Sequence, residues 1–199
     1  MHGAGSGPWI FNGWARHFGE ARLATVDLHD GLNVSFASMA DYAAAIERAA
    51  GELPRPLAVV AWSMGGLVAL MASHVADVLV LLEPSPPGEV QGFRPQLALA
   101  YGAFDPELEY GGFPDGIRAR SESELARRER KRGISVPALP CPALAVWGDW
   151  EERGRAIAAR YGIEELRLPG KSHWDLVLDD DAIAAVAAWL GTQPSRSTG

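Results

Sequence analysis

Apolar positions along the 199-residue chain gather into short runs separated by turn-forming residues, and the spacing inside the runs alternates between helical and extended. Ile10, Trp14 and Phe18 recur at helical spacing behind Pro8, which suits a first helical turn, so a helix is expected over Pro8–Phe18. Arg22–Leu28 reads as a strand. Met39, Tyr42, Ala43 and Ile46 then repeat with helical period behind Ser38, an N-capping residue type, and predict a helix through Leu53 that Pro54 and Pro56 terminate. Leu57–Trp62 is almost wholly apolar, the pattern of a parallel strand buried on both faces. A helix at Met64–His74, strands at Val78–Leu82 and Ala143–Trp147, a helix at Glu152–Tyr161, a weak strand at Glu165–Leu168 and a helix at Asp181–Leu190 continue the alternation.

Such alternation predicts an α/β fold with a mostly parallel sheet covered by helices on both faces. Residues 1–190 are expected to form a single domain, and the polar, aperiodic stretch 191–199 a flexible tail. Between 84 and 142 the alternation lapses into Pro- and Gly-rich sequence, an insertion on the carboxyl side of the sheet. Open α/β sheets bind ligands at that edge, so the insertion is expected to act as a cap or lid.

Composition narrows the function classes. Eighteen Lys and Arg against 25 Asp and Glu give a net charge of -7, which leaves no electrostatic footprint for nucleic acid. The single cysteine, Cys141, rules out an intrachain disulfide, and no clustered Cys and His spacing suggests a metal site. No apolar run approaches the roughly 20 residues that cross a bilayer, and the start lacks the charged and apolar regions of a signal peptide. The expectation is a cytoplasmic protein without membrane span, metal or cofactor.

The chemistry concentrates at Ala61-Trp62-Ser63-Met64-Gly65-Gly66, between a buried strand and a helix. A serine on so sharp a turn is exposed, needs small residues two positions to either side, and lies beside the free N–H groups of a helix N-terminus. The segment resembles the G-x-S-x-G nucleophile elbow of the α/β-hydrolase family, with alanine for the first glycine. That resemblance extends from His2 to Leu190.

It implies several roles. Ser63 is the nucleophile. His173, in Gly170-Lys171-Ser172-His173, matches the family's G-x-x-H segment and is the general base. The acid that orients it is first Glu151, at the acidic position of Gly148-Asp149-Trp150-Glu151; Glu83, at the end of an earlier strand, and Asp149 are alternatives. His2-Gly3-Ala4-Gly5 is similar to the family's HG-x-G segment and puts the oxyanion donors at the N–H groups of Ala4 and Met64. His17, His29 and His74 are assigned to surface or packing roles.

The implied activity is a serine hydrolase cleaving a small carboxylic ester or thioester through an acyl-enzyme. Acyl transfer on the same residues and a non-catalytic ligand-binding module are alternatives. In the insertion, the basic run Arg127–Arg132 is expected to be a solvated helix face or else a lid attracting an anionic acyl group; Trp9, Phe11, Phe93, Tyr101 and Phe104 are candidates for an acyl pocket. The family also has strands ahead of the HG segment, which this sequence lacks. A compact variant with a rearranged sheet and a start missing its upstream strands are the two readings of that deficit.

Overall fold

The computed structural model describes residues 1–19, 21–149 and 151–193, the side chains of Glu151 and Arg153 excepted. The chain opens with a glycine loop and two 3-10 turns, Pro8–Phe11 and Trp14–His17. These replace the single helix expected there, because Gly13 interrupts the helical run between them. Helix α1 (Met39–Gly51) starts where expected: the Ser38 side chain accepts from the Asp41 N–H while the Asp41 carboxylate accepts from the Ser38 N–H. Strand β1 (Ala58–Trp62) and helix α2 (Met64–Met71) flank Ser63; a 3-10 turn at Ser73–Val75 takes the place of the last predicted helical turn. Strand β2 (Val78–Leu82) follows.

The segment up to Pro142 carries three short helices, α3 (Gly88–Gln91), α4 (Pro106–Tyr110) and α5 (Glu124–Arg132). A two-stranded antiparallel ribbon, β3 (Ala103–Phe104) with β4 (Glu122–Ser123), ties it together. Strand β5 (Ala143–Trp147), helix α6 (Glu151–Tyr161) and strand β6 (Glu164–Arg167) resume the alternation, and α7 (Asp175–Leu178) and α8 (Asp180–Thr192) close it. Helix α8 therefore takes in Gly191 and Thr192, which were expected to belong to the flexible tail; residues 194–199 lie outside the described residues.

The main sheet runs β1-β2-β5-β6, parallel throughout. Its central strands are buried on both faces, as their unbroken apolar sequence requires. One core packs α1, α2 and Ile157 of α6 against Val59, Leu79 and Leu81. The opposite core packs the 3-10 turns, α7 and α8 against Val80, Leu82, Leu144 and Val146. No helix is long and apolar enough to cross a membrane among the described residues.

One expected strand is missing. Residues 21–25 are exposed and 22–27 carry no regular structure, although their composition favours extension. A strand exists only when another strand accepts its ladder, and no strand lies beside this segment among the described residues. With that partner absent, β1 becomes an edge of the main sheet. On the side away from β2, Met1 pairs with it, its terminal nitrogen donating to the Val60 carbonyl at 2.6 Å and its carbonyl accepting from the Trp62 N–H at 3.0 Å.

Candidate active site

Ser63 occupies the tight turn from β1 into α2 with φ 55 and ψ -122, a backbone conformation that costs a side-chain-bearing residue about 1–3 kcal/mol. Neighbouring contacts hold it there. Its N–H donates to the Leu82 carbonyl at 3.0 Å, and its carbonyl accepts from Ser85 N–H at 2.8 Å and Gly66 N–H at 3.0 Å. The need for a small residue at Gly65 comes from the glycine loop: a Cβ there would lie 2.4 Å from the His2 carbonyl oxygen. Gly3 presses on the serine from the same side, since a Cβ on it would fall 2.8 Å from Ser63 Cβ. Ala61 is fully buried yet accommodated.

Glu83 is the other non-glycine residue with positive φ, 39, among the described residues. Its N–H continues the ladder to the Val146 carbonyl, and the turn carries its carboxylate beneath the loop after β6. One carboxylate oxygen accepts from Gly148 N–H at 2.8 Å; the other lies 2.7 Å from Nδ1 of His173. The Glu83 side chain is 1% exposed and that of His173 15%. A carboxylate oxygen that accepts in this contact takes the hydrogen bond from Nδ1–H.

The His173 loop is fixed by close approach. A Cβ at Gly148 would come 1.9 Å from the Lys171 carbonyl oxygen, which also accepts from Asp149 N–H. Trp62, next to the serine in sequence, donates its indole N–H to the His173 carbonyl at 2.9 Å and lays its ring 4.6 Å from the imidazole centroid. Ser63 and Glu83 thus follow the carboxyl ends of the paired strands β1 and β2, and Glu83 holds His173. Of the other two candidates for the acid, Asp149 is exposed, and the Glu151 side chain lies outside the described residues.

The glycine loop is braced from behind by a buried polar network that no local motif announces. Arg120 N–H donates to the Gly5 carbonyl at 2.8 Å, and Gly5 N–H points to a Glu122 carboxylate oxygen at 3.4 Å. Glu122 is fully buried. Its other oxygen accepts from Tyr42 OH at 2.5 Å and Ser123 N–H at 3.0 Å, and lies 3.1 Å from Nε2 of His29. Burial alone pushes this carboxyl up, but the His29 contact and charge, with Tyr42 and Ser123, outweigh it and hold the pKa at about 2. His2 meets Leu28 N–H through Nε2 at 3.0 Å and is held by burial below its usual pKa. Nothing in the residues around Glu122 marks it in sequence; its partners come from three distant segments.

The basic run and the aromatics have other employment. Glu124 accepts from Arg127 and Arg128, and Glu109 from Lys131 and Arg127. Arg127 also stands over the Phe104 ring. Phe93 and Tyr101 are exposed, and Phe11 packs on Trp14 in the core behind the sheet.

With this geometry in view, comparisons place the chain. A structural match to polyneuridine aldehyde esterase has a TM-score of 0.68 at 12% identity, covering 96% of this chain and 97% of that one. A match to a monoacylglycerol lipase of Paleococcus ferrophilus has 0.65 at 14%, covering 96% and 91%. The RedJ thioesterase of the prodiginine biosynthetic pathway in Streptomyces coelicolor gives 0.67 at 21%, covering 96% and 82%. At these identities the likeness concerns the fold. Comparison with curated proteins finds no match. The model of the alpha/beta hydrolase family matches residues 1–195, and the chain belongs to that family.

Proposed function

We propose that the chain is a serine hydrolase acting on a small carboxylic ester or thioester. The observation that carries the proposal is the 2.7 Å contact of His173 Nδ1 with the buried Glu83 carboxylate, which follows β2 just as the strained, turn-borne Ser63 follows β1. In this reading His173 Nε2 takes the hydroxyl proton of Ser63 as Oγ attacks the carbonyl carbon. The N–H groups of Ala4 and Met64 receive the oxyanion; each such donor is worth about 3 kcal/mol. The imidazolium, steadied by Glu83, then gives its proton to the departing oxygen or sulfur, leaving an acyl group on Ser63. Water, deprotonated by the same imidazole, releases the acid and restores the hydroxyl.

Glu83 takes the orienting role in place of Glu151, on the strength of its 2.7 Å contact with the imidazole. The segment 84–142 serves as the lid in this reading, supported by Phe113, whose ring lies 5.2 Å from Trp174 beside His173. A reducing cytoplasmic setting is part of it too, in keeping with a sole cysteine, Cys141, that is buried.

The test is turnover of short p-nitrophenyl esters together with labelling by a fluorophosphonate. Ser63→Ala should abolish both, with turnover lower by about 10⁴-fold or more, as triad serines lose. Turnover retained within tenfold, or labelling at another residue, overturns the assignment.

A further inference from the structure

The cations of helix α5 do not have equal partners. Arg127, Arg128 and Lys131 are paired with Glu124 and Glu109. Arg130, one turn after the fully buried Ala126, pairs with no carboxylate among the described residues. Its guanidinium meets two neutral oxygens instead. Nη2 donates to the Tyr110 hydroxyl at 3.0 Å, and Nη1 lies 3.5 Å from Oγ of Ser85. Its Nε–H is buried and has no hydrogen-bond partner among the described residues.

This cation stands close to the proposed nucleophile. Ser85 N–H donates to the Ser63 carbonyl at 2.8 Å, so a single residue separates the serine turn from the guanidinium. Pro84 packs against α2, where a Cβ at Gly66 would lie 2.5 Å from the proline Cβ. Helix α5 is fixed at both ends. Ser123 Oγ accepts from Ala126 N–H and donates to the Ala37 carbonyl, while Gln91 Nε2 donates to the Arg130 carbonyl and Arg94 N–H to that of Arg132, each at 2.7 Å. Tyr110 is exposed, so the site opens to solvent beside α4.

We propose that Arg130 is a specificity-determining residue that receives a carboxylate at the far end of the substrate's acyl group. The inference rests on the serine-hydrolase reading and names its substrate class: half-esters or half-thioesters of short dicarboxylic acids. In a guanidinium, Nε–H and the neighbouring Nη–H form a planar fork that matches the two oxygens of a carboxylate. A neutral acyl chain leaves the buried Nε–H without a partner; a carboxylate satisfies the donor and the charge together. Ser85 and Tyr110, whose oxygens face the guanidinium, keep their own hydroxyl protons to donate to the same anion. The acyl end is the one assigned because the leaving group departs beside His173, and there an aromatic cluster of Trp62, Trp174 and Phe113 adjoins the imidazole.

Two measurements test this. In the native chain, the Arg130 Nε–H cross-peak of a nitrogen–proton spectrum should shift and saturate as glutarate is added, and stay in place with neutral glutaramide. No shift with glutarate overturns the proposal; an equal shift with sulfate makes this a general anion site and overturns the carboxylate assignment. The second measurement compares kcat/KM for the ethyl half-esters of succinic, glutaric and adipic acids with that for ethyl butyrate, valerate and hexanoate. At least one half-ester should be favoured over the neutral ester of equal chain length by about 30-fold or more. Arg130→Met should bring that ratio to within about threefold of unity, chiefly by raising KM for the half-ester. Arg130→Lys, which keeps the charge and loses the fork, should fall between them. The ratio is taken within each variant, so a general loss of activity does not imitate the result. Ser85→Ala and Tyr110→Phe should each lower it as well, and they serve as the check if Arg130→Met does not fold. A ratio near unity in the native chain, or one unchanged by Arg130→Met, overturns the proposal while leaving the role of Ser63 intact. Turnover that survives Ser63→Ala would instead remove the hydrolase reading, and the Nε–H titration would still decide the anion site.

Discussion

Among the described residues, two that are not glycine hold backbone conformations that L side chains avoid, and one of them, Glu83, contacts His173. Ser63 and Glu83 each follow the last residue of a parallel strand, β1 and β2, and each turns sharply enough to lift its side chain over the sheet's edge. Strain of this kind persists only where surrounding contacts impose it, and here those contacts are main-chain bonds to Leu82, Ser85 and Val146. The local sequence marks Ser63 well, since an apolar strand, a serine and two glycines leave little else for the turn to be. It marks the acid poorly. Glu83, Asp149 and Glu151 all follow strands, and the choice depends on which carboxylate reaches a histidine 90 residues from the first of them. Glu83→Gln should therefore lower kcat for ester hydrolysis by about 10³- to 10⁴-fold with KM little changed, while Asp149→Asn and Glu151→Gln stay within about threefold. Steady-state kinetics of the three variants decides it; a large loss in Glu151→Gln alone would return the role to that residue.

At the scale of elements, local signals were reliable where an element satisfies its own backbone. Helix α1 forms behind its Ser38 cap because helix bonds are internal and the capping box lies within four residues. The strand predicted at Arg22–Leu28 fails for the opposite reason: its bonds belong to a neighbour. The same dependence makes the loop that carries His173 sensitive to a residue far from it in sequence. Gly148 lets the Lys171 carbonyl come close and gives its N–H to Glu83. Gly148→Ala should displace that loop, with activity reduced by about 10²-fold or more while β5 itself stays folded. Near-native far-ultraviolet circular dichroism with loss of fluorophosphonate labelling is the expected pair of results; unchanged labelling would show that the approach is not needed.

Across the whole molecule, the segment between β2 and β5 does more than cover the sheet. Its Glu122 reaches into the core, binding Tyr42 of α1, facing His29 and meeting Gly5 of the glycine loop, so three regions share one buried carboxylate. That carboxyl is held at about 2, below an ordinary 4.5, so its contribution is fully present above about pH 4.5 and is lost as pH falls toward 2. The shift corresponds to about 3 kcal/mol. Urea unfolding from pH 6 to pH 2 should show that loss in the native chain and a flatter profile in Glu122→Gln; parallel profiles would deny Glu122 the role. The sequence by itself determined the alternating α/β architecture, the helix caps, the buried strands and the serine turn, because each follows from residues within a few positions of one another. Only the tertiary structure decided which acid faces His173, that Glu122 anchors the glycine loop, and that Arg22–Leu28 stays unpaired beside an open β1. Those outcomes depend on hydrogen-bond partners supplied by segments remote in the chain, and a partner's presence or absence cannot be read from the residues that need it.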